Sequence, residues 1–137
     1  MSGIRQAAEG TVNETIALAH VLRSASEGDK VFKYRDLDNR EIDIVVINRE
    51  AKTLRLIEVK SKPEIDTNRV FTNDAKHLFD DAILKNIGVD DSFTVSRILV
   101  SKGKSGCVVN QEKSLVLANI EDFLMRYKDL GGFADEK

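Results

Sequence analysis

The stretch from Ile42 to Val59, IDIVVINREAKTLRLIEV, limits the possible folds more than any other part of the chain. It reads as two apolar strands joined by a short polar turn through Glu50 and Ala51. Strand side chains alternate between faces. Ile42, Ile44, Val46, Ile57 and Val59 then share one face, and Val45, Ile47, Leu54 and Leu56 share the other. A hairpin apolar on both faces needs cover on both faces, which is the α/β arrangement. Pairing centred on Glu50 and Ala51 places Asp43 directly opposite Glu58 and Glu41 opposite Lys60. In that register Asp43, Glu58 and Lys60 project from one face.

The segments around the hairpin supply the helices. Thr11 to about Glu27 has helical periodicity, with Thr11 as the expected cap and Gly28 as the stop. Glu14 shares a stripe there with Leu18, Val21, Leu22 and Ala25. Lys30 to Arg35 reads as a strand, followed by a turn through Asp36, Asp38 and Asn39. A helix is expected from about Asn73 to Ile87, striped by Ala75, Leu78, Phe79, Ala82, Ile83 and Ile87, with Gly88 ending it. Phe93 to Val100 and Leu115 to Ala118 read as strands. Asn119 caps a last helix with Glu121 and Asp122 in its first turn and Arg126 and Lys128 near its end, charges that suit the helix dipole. The result is one domain over residues 1–137 with its core at about 10–128. Its ends, 1–9 and 131–137, are expected to be loose.

Composition narrows the function classes. At 137 residues, 42% hydrophobic and 32% charged, the chain can bury a real core. The single cysteine, Cys107, excludes an internal disulfide and suits a reducing, cytoplasmic setting. No apolar run approaches the roughly 20 residues of a membrane span, and the first residues do not resemble a signal peptide. A net charge of −2 gives no general attraction to nucleic acid.

Adjacent carboxylates with an ammonium beside them can bind a divalent cation and a phosphate. Each residue also has a structural reading. Glu14 completes the capping-box pattern T-V-N-E with Thr11, although an acid at the head of a buried stripe is costly unless paired or metal-bound. Lys60 can make a cross-strand salt bridge with Glu41. Asp43 is harder to explain structurally, because Asp is disfavoured inside an apolar strand. Gly103-Lys104-Ser105 imitates the end of a phosphate-binding loop, but the glycine required five residues earlier is Ile98. The glycines there read as a hairpin turn. His20 and His77 lack metal-pair spacing, and Cys107 has no partner, so no zinc site is expected.

Asp43 followed by Glu58-Val59-Lys60 resembles the signature of the PD-(D/E)XK phosphodiesterases. With Gly10, Glu14, Tyr34-Arg35, Glu41-Ile42-Asp43 and Ile57-Glu58-Val59-Lys60-Ser61, the chain is similar over about Gly10 to Leu124 to a C-terminal nuclease-like domain of prokaryotic AAA-type ATPases. That domain has no defined function. The resemblance implies a restriction-endonuclease-like mixed central sheet flanked by helices. It also implies a site of Glu14, Asp43, Glu58 and Lys60 holding Mg²⁺ or Mn²⁺, with the Val59 carbonyl as a further ligand. The expected activity is metal-dependent hydrolysis of DNA, with Arg35, Lys62, Arg69 and Lys76 as candidate phosphate contacts and weak DNA binding by this domain alone. The alternative is a catalytically weak or inactive nuclease-fold module that serves an ATPase, another protein partner or a homo-oligomer. No ATPase module is encoded here.

Overall fold

The computed structural model describes residues 2–60, 68–71, 75–103, 105–110 and 113–127. The chain runs α1 (Ser2–Arg23), β1 (Asp29–Arg35), β2 (Glu41–Asn48) and β3 (Thr53–Val59). A 3₁₀ turn (Lys76–Phe79) and α2 (Asp81–Ile87) follow, then β4 (Thr94–Ser101), β5 (Gly106–Asn110), β6 (Lys113–Asn119) and α3 (Ile120–Arg126). The six strands form one mixed sheet in the order β1-β2-β3-β4-β6-β5. The pairs β3–β4 and β4–β6 are parallel, and the others are antiparallel. This is the expected α/β fold, a mixed sheet with helices on both sides. Among the described residues, no helix is long and apolar enough to cross a membrane.

Two apolar layers hold the sheet. On one face Ala17 and Val21 of α1 and Phe123 of α3 pack on Ile44, Val46, Ile57, Ile98 and Val100. On the other, Leu78 of the 3₁₀ turn and Ile83 of α2 pack on Val45, Ile47, Leu54, Leu56 and Leu99. The central strands are covered on both sides, as their near-continuous apolar sequences require.

Several local expectations are corrected. Helix α1 starts at Ser2, so Thr11 lies inside it and is not its N-cap. The helix faces the sheet with Ala17 and Val21, while Leu18 and Leu22 are 37% and 55% exposed. Three- and seven-residue steps from Glu14 reach Ala17 and Val21, and the small Ala17 permits close approach to the strands. The single helix expected from about Asn73 to Ile87 is broken at Asp80. Its extended backbone (φ −82°, ψ 113°) ends the 3₁₀ turn, and its side chain accepts from Ala82 N–H to cap α2. Gly88 ends α2 in the left-handed region, as expected. The glycine-containing segment after β4 leads into a strand, β5, which pairs antiparallel with β6. Asn119 caps α3 by accepting from Asp122 N–H, whereas Lys128 and the 131–137 end lie outside the described residues.

Ile42 also changes sides. Phe32 pairs with Val45 but Tyr34 pairs with Ile42, so β2 uses three residues where β1 uses two. An irregularity of this kind re-aims side chains, and Ile42 joins the layer of Val45 and Ile47 rather than that of Ile44.

Candidate functional site

The β2–β3 ladder pairs Asn48 with Thr53 and Ile44 with Ile57, so the next step brings Asp43 to Glu58. At that step side chains replace the regular backbone bonds. Asp43 N–H donates to Glu58 Oε1 at 3.2 Å, and Val59 N–H donates to Asp43 Oδ2 at 2.8 Å. Each acid therefore accepts an amide from the other's strand, or from the residue beside it. On its other side β3 stays attached to the sheet, with Lys60 N–H donating to the Val100 carbonyl at 2.8 Å.

Glu58 lies beside Lys60 and His77. Lys60 Nζ is 3.4 Å and His77 Nε2 is 2.9 Å from Glu58 Oε2. The His77 contact is close but lacks the linear N–H geometry of a hydrogen bond, and this buried nitrogen has no other hydrogen-bond partner among the described residues. At 2.9 Å it is a close polar contact. Burial alone would raise the Glu58 pKa, but His77, Lys60 and the Asp43 amide hold it below its ordinary value.

Asp43 moves the other way. Burial and the neighbouring Glu58 charge push it up to about 7, with Glu14 adding to the rise and the Val59 amide opposing it. The two carboxyls titrate as a pair, with Glu58 carrying the charge and Asp43 near its midpoint at neutral pH.

The remaining candidates are less closely joined. Glu14 has Lys33 Nζ at 3.7 Å as its ion-pair partner, and its charge reaches Asp43 from the α1 side. Lys60 does not take the cross-strand role with Glu41; Glu41 instead faces Arg35 Nε at 3.5 Å on the exposed side of the sheet. Arg35 is thereby engaged, Arg69 and Lys76 are exposed, and Lys62 lies outside the described residues. His77 is the residue that the sequence reading missed. A cavity of about 270 Å³ lies elsewhere, lined by Asn48, Thr53, Arg55 and Tyr127 among others. Its Arg55 donates to the Tyr127 carbonyl at 2.6 Å and stacks on the Tyr127 ring, which makes it a packing feature of the C-terminal side.

The donor set can be tested against a divalent cation. Among the described residues, no group of three His, Cys, Asp or Glu side chains is arranged to hold a metal. Two hard carboxylates do meet, however, and burial together with the charge of Glu58 pushes the Asp43 carboxyl up to about 7. Mg²⁺ is commonly held by one or two carboxylates with waters completing the octahedron. The pair fits that open kind of site and not a closed protein cage.

A model of a domain of unknown function, DUF4143, matches residues 9–98 of the chain. No curated protein matches it.

Proposed function

The chain belongs to DUF4143, a domain found in C-terminal regions of AAA-type ATPases, and from that premise we propose that its hairpin end is a metal-dependent phosphodiesterase site acting on DNA. The observation that carries this reading is the Asp43–Glu58 pair, in which burial and like charge push Asp43 up to about 7. Such a pair has a standing preference for a cation, which would displace the Asp43 proton.

Asp43 and Glu58 would hold Mg²⁺ or Mn²⁺, and the bound ion would acidify a water and offset charge on a phosphate. Lys60 places its ammonium beside Glu58, 3.4 Å from Oε2, where it can meet a phosphate oxygen as negative charge develops. Glu14 supports the site at longer range by adding negative potential at Asp43. The net charge of −2 offers little counterion release, so DNA engagement would depend on added positive surface from an ATPase module, another partner or a second copy.

A second reading has its own support. The absence of a three-ligand cluster among the described residues and the engagement of Glu14 with Lys33 suit a nuclease-fold module that regulates an ATPase without cutting.

A cleavage assay separates them. Single-stranded, duplex and branched DNA and RNA are incubated with the protein in Mg²⁺ or Mn²⁺, with Lys60→Ala as the control. Metal-dependent cleavage of DNA that falls at least tenfold in Lys60→Ala is the expected outcome. Cleavage unaffected by the substitution would remove this site from the reaction, and no cleavage despite proven cation binding would select the regulatory reading.

A further inference from the structure

His77 stands 19 residues beyond Glu58 in sequence yet meets it in space. It sits on the 3₁₀ turn, where Leu78 is buried in the layer below the sheet and fixes the turn against the strands. The fully buried Ala75, immediately before the turn, closes the other side. With its backbone held in this way, His77 directs Nε2 at Glu58 Oε2, 2.9 Å away. The nitrogen is buried and has no hydrogen-bond partner of regular geometry among the described residues, so Glu58 is the polar group it faces.

The two Glu58 oxygens are used differently. Oε2 faces His77 and Lys60, while Oε1 accepts the Asp43 amide and lies on the Asp43 side. His77 Nε2 is thereby spent on Glu58 Oε2 and is not itself a metal ligand. We propose that His77 is a positioning residue that, together with Lys60, fixes Glu58 by Oε2 and so leaves Oε1 turned to Asp43 for a shared cation. This assignment rests on the cation reading of the Asp43–Glu58 pair. Partners in this outer position orient ligating carboxylates, and their loss commonly weakens metal binding by 10- to 100-fold.

The test uses two substitutions and two readouts on the full chain. His77→Gln keeps a donor at comparable reach, whereas His77→Phe keeps bulk and removes the donor. In calorimetric titration with Mn²⁺, His77→Phe is expected to bind about tenfold or more weakly, and His77→Gln within a few-fold of wild type. Equal or tighter binding by His77→Phe would overturn the proposal, because His77 would then be a spectator or an obstruction. Equal losses in both variants would also overturn it, since a donor would not suffice.

The second readout needs no metal. Melting temperatures of His77→Phe, Glu58→Gln and the double variant should be non-additive if the two side chains are coupled; additive shifts would overturn the contact. Failure of wild type to bind Mn²⁺ would sink the cation reading and with it the positioning role, and the melting cycle would still decide whether His77 and Glu58 act together.

Discussion

Asp43→Asn should make the metal-free protein more stable at pH 8, although it removes a carboxylate able to bind a metal. Asp43 is raised to about 7 in the fold from 3.8. Between those values the native state holds a proton that the unfolded chain has released. Stability therefore falls as pH rises from about 4 to about 7 and then levels off, with the full penalty present above the folded pKa. Each pKa unit corresponds to about 1.4 kcal/mol. Asp43 is partly open to solvent, which screens part of this penalty, and the expected gain is about 2 kcal/mol at pH 8. Asn can still accept from the Val59 amide while placing no charge beside Glu58. Glu58 contributes the opposite sign, because its lowered pKa adds stability that is lost as pH falls through the folded value. Urea denaturation of both proteins at pH 4 and pH 8 checks this. The gain should be large at pH 8 and small at pH 4; a variant less stable than wild type at pH 8 would show that Asp43 is not under charge strain.

Ile57→Ala should cost about 2–5 kcal/mol. Ile57 is fully buried at the centre of β3. It pairs with Ile44 on β2 and with Ile98 on β4, in the layer closed by α1 and α3. Strands on both sides cannot collapse into the space left, so the lost transfer energy and the cavity add together. Against a total stability of about 5–15 kcal/mol, such a loss is large. Leu22→Ala is the matched control, since Leu22 is 55% exposed on α1 and its loss should stay within about 0.5 kcal/mol. Denaturant midpoints of the two variants measure the contrast. Similar losses would contradict the assignment of the sheet-facing side of α1.

The hairpin register was legible because its turn is short and polar, and in a hairpin the loop length fixes which residues pair. With apolar residues on both faces, burial alone would not have distinguished a one-residue slip. That register carried the Asp43–Glu58 proximity with it. The side of Ile42 was not legible, because it depends on the mismatch between three residues of β2 and two of β1, a tertiary feature without a local marker. Leu18 and Leu22 misled for a different reason. A 3.6-residue period leaves neighbouring stripes nearly equivalent, and only the sheet decides that Ala17 and Val21 face inward. Asp80 carried a readable signal, an acid able to cap a new helix, but the surrounding apolar stripe concealed the break. His77 was missed because spacing was judged only between histidines. A polar residue between the buried Ala75 and Leu78 was the available sign that a side chain on that turn faced the sheet. β5 escaped notice because GCVVN is short, begins with glycine and forms an edge strand with little burial.

The central claim is that Asp43 and Glu58 together form a cation site, and a calorimetric Mn²⁺ titration of wild type and Glu58→Gln at pH 7.5 tests it most directly. Glu58 accepts the Asp43 amide at 3.2 Å and carries the charge of the pair, so neutralising it should remove most of the site's attraction. Wild type is predicted to bind Mn²⁺ with release of a fraction of a proton to the buffer, because Asp43, pushed up to about 7, is still partly protonated at pH 7.5. Glu58→Gln is predicted to bind at least tenfold more weakly. Identical heats in the two proteins, or no binding by wild type, would contradict the account.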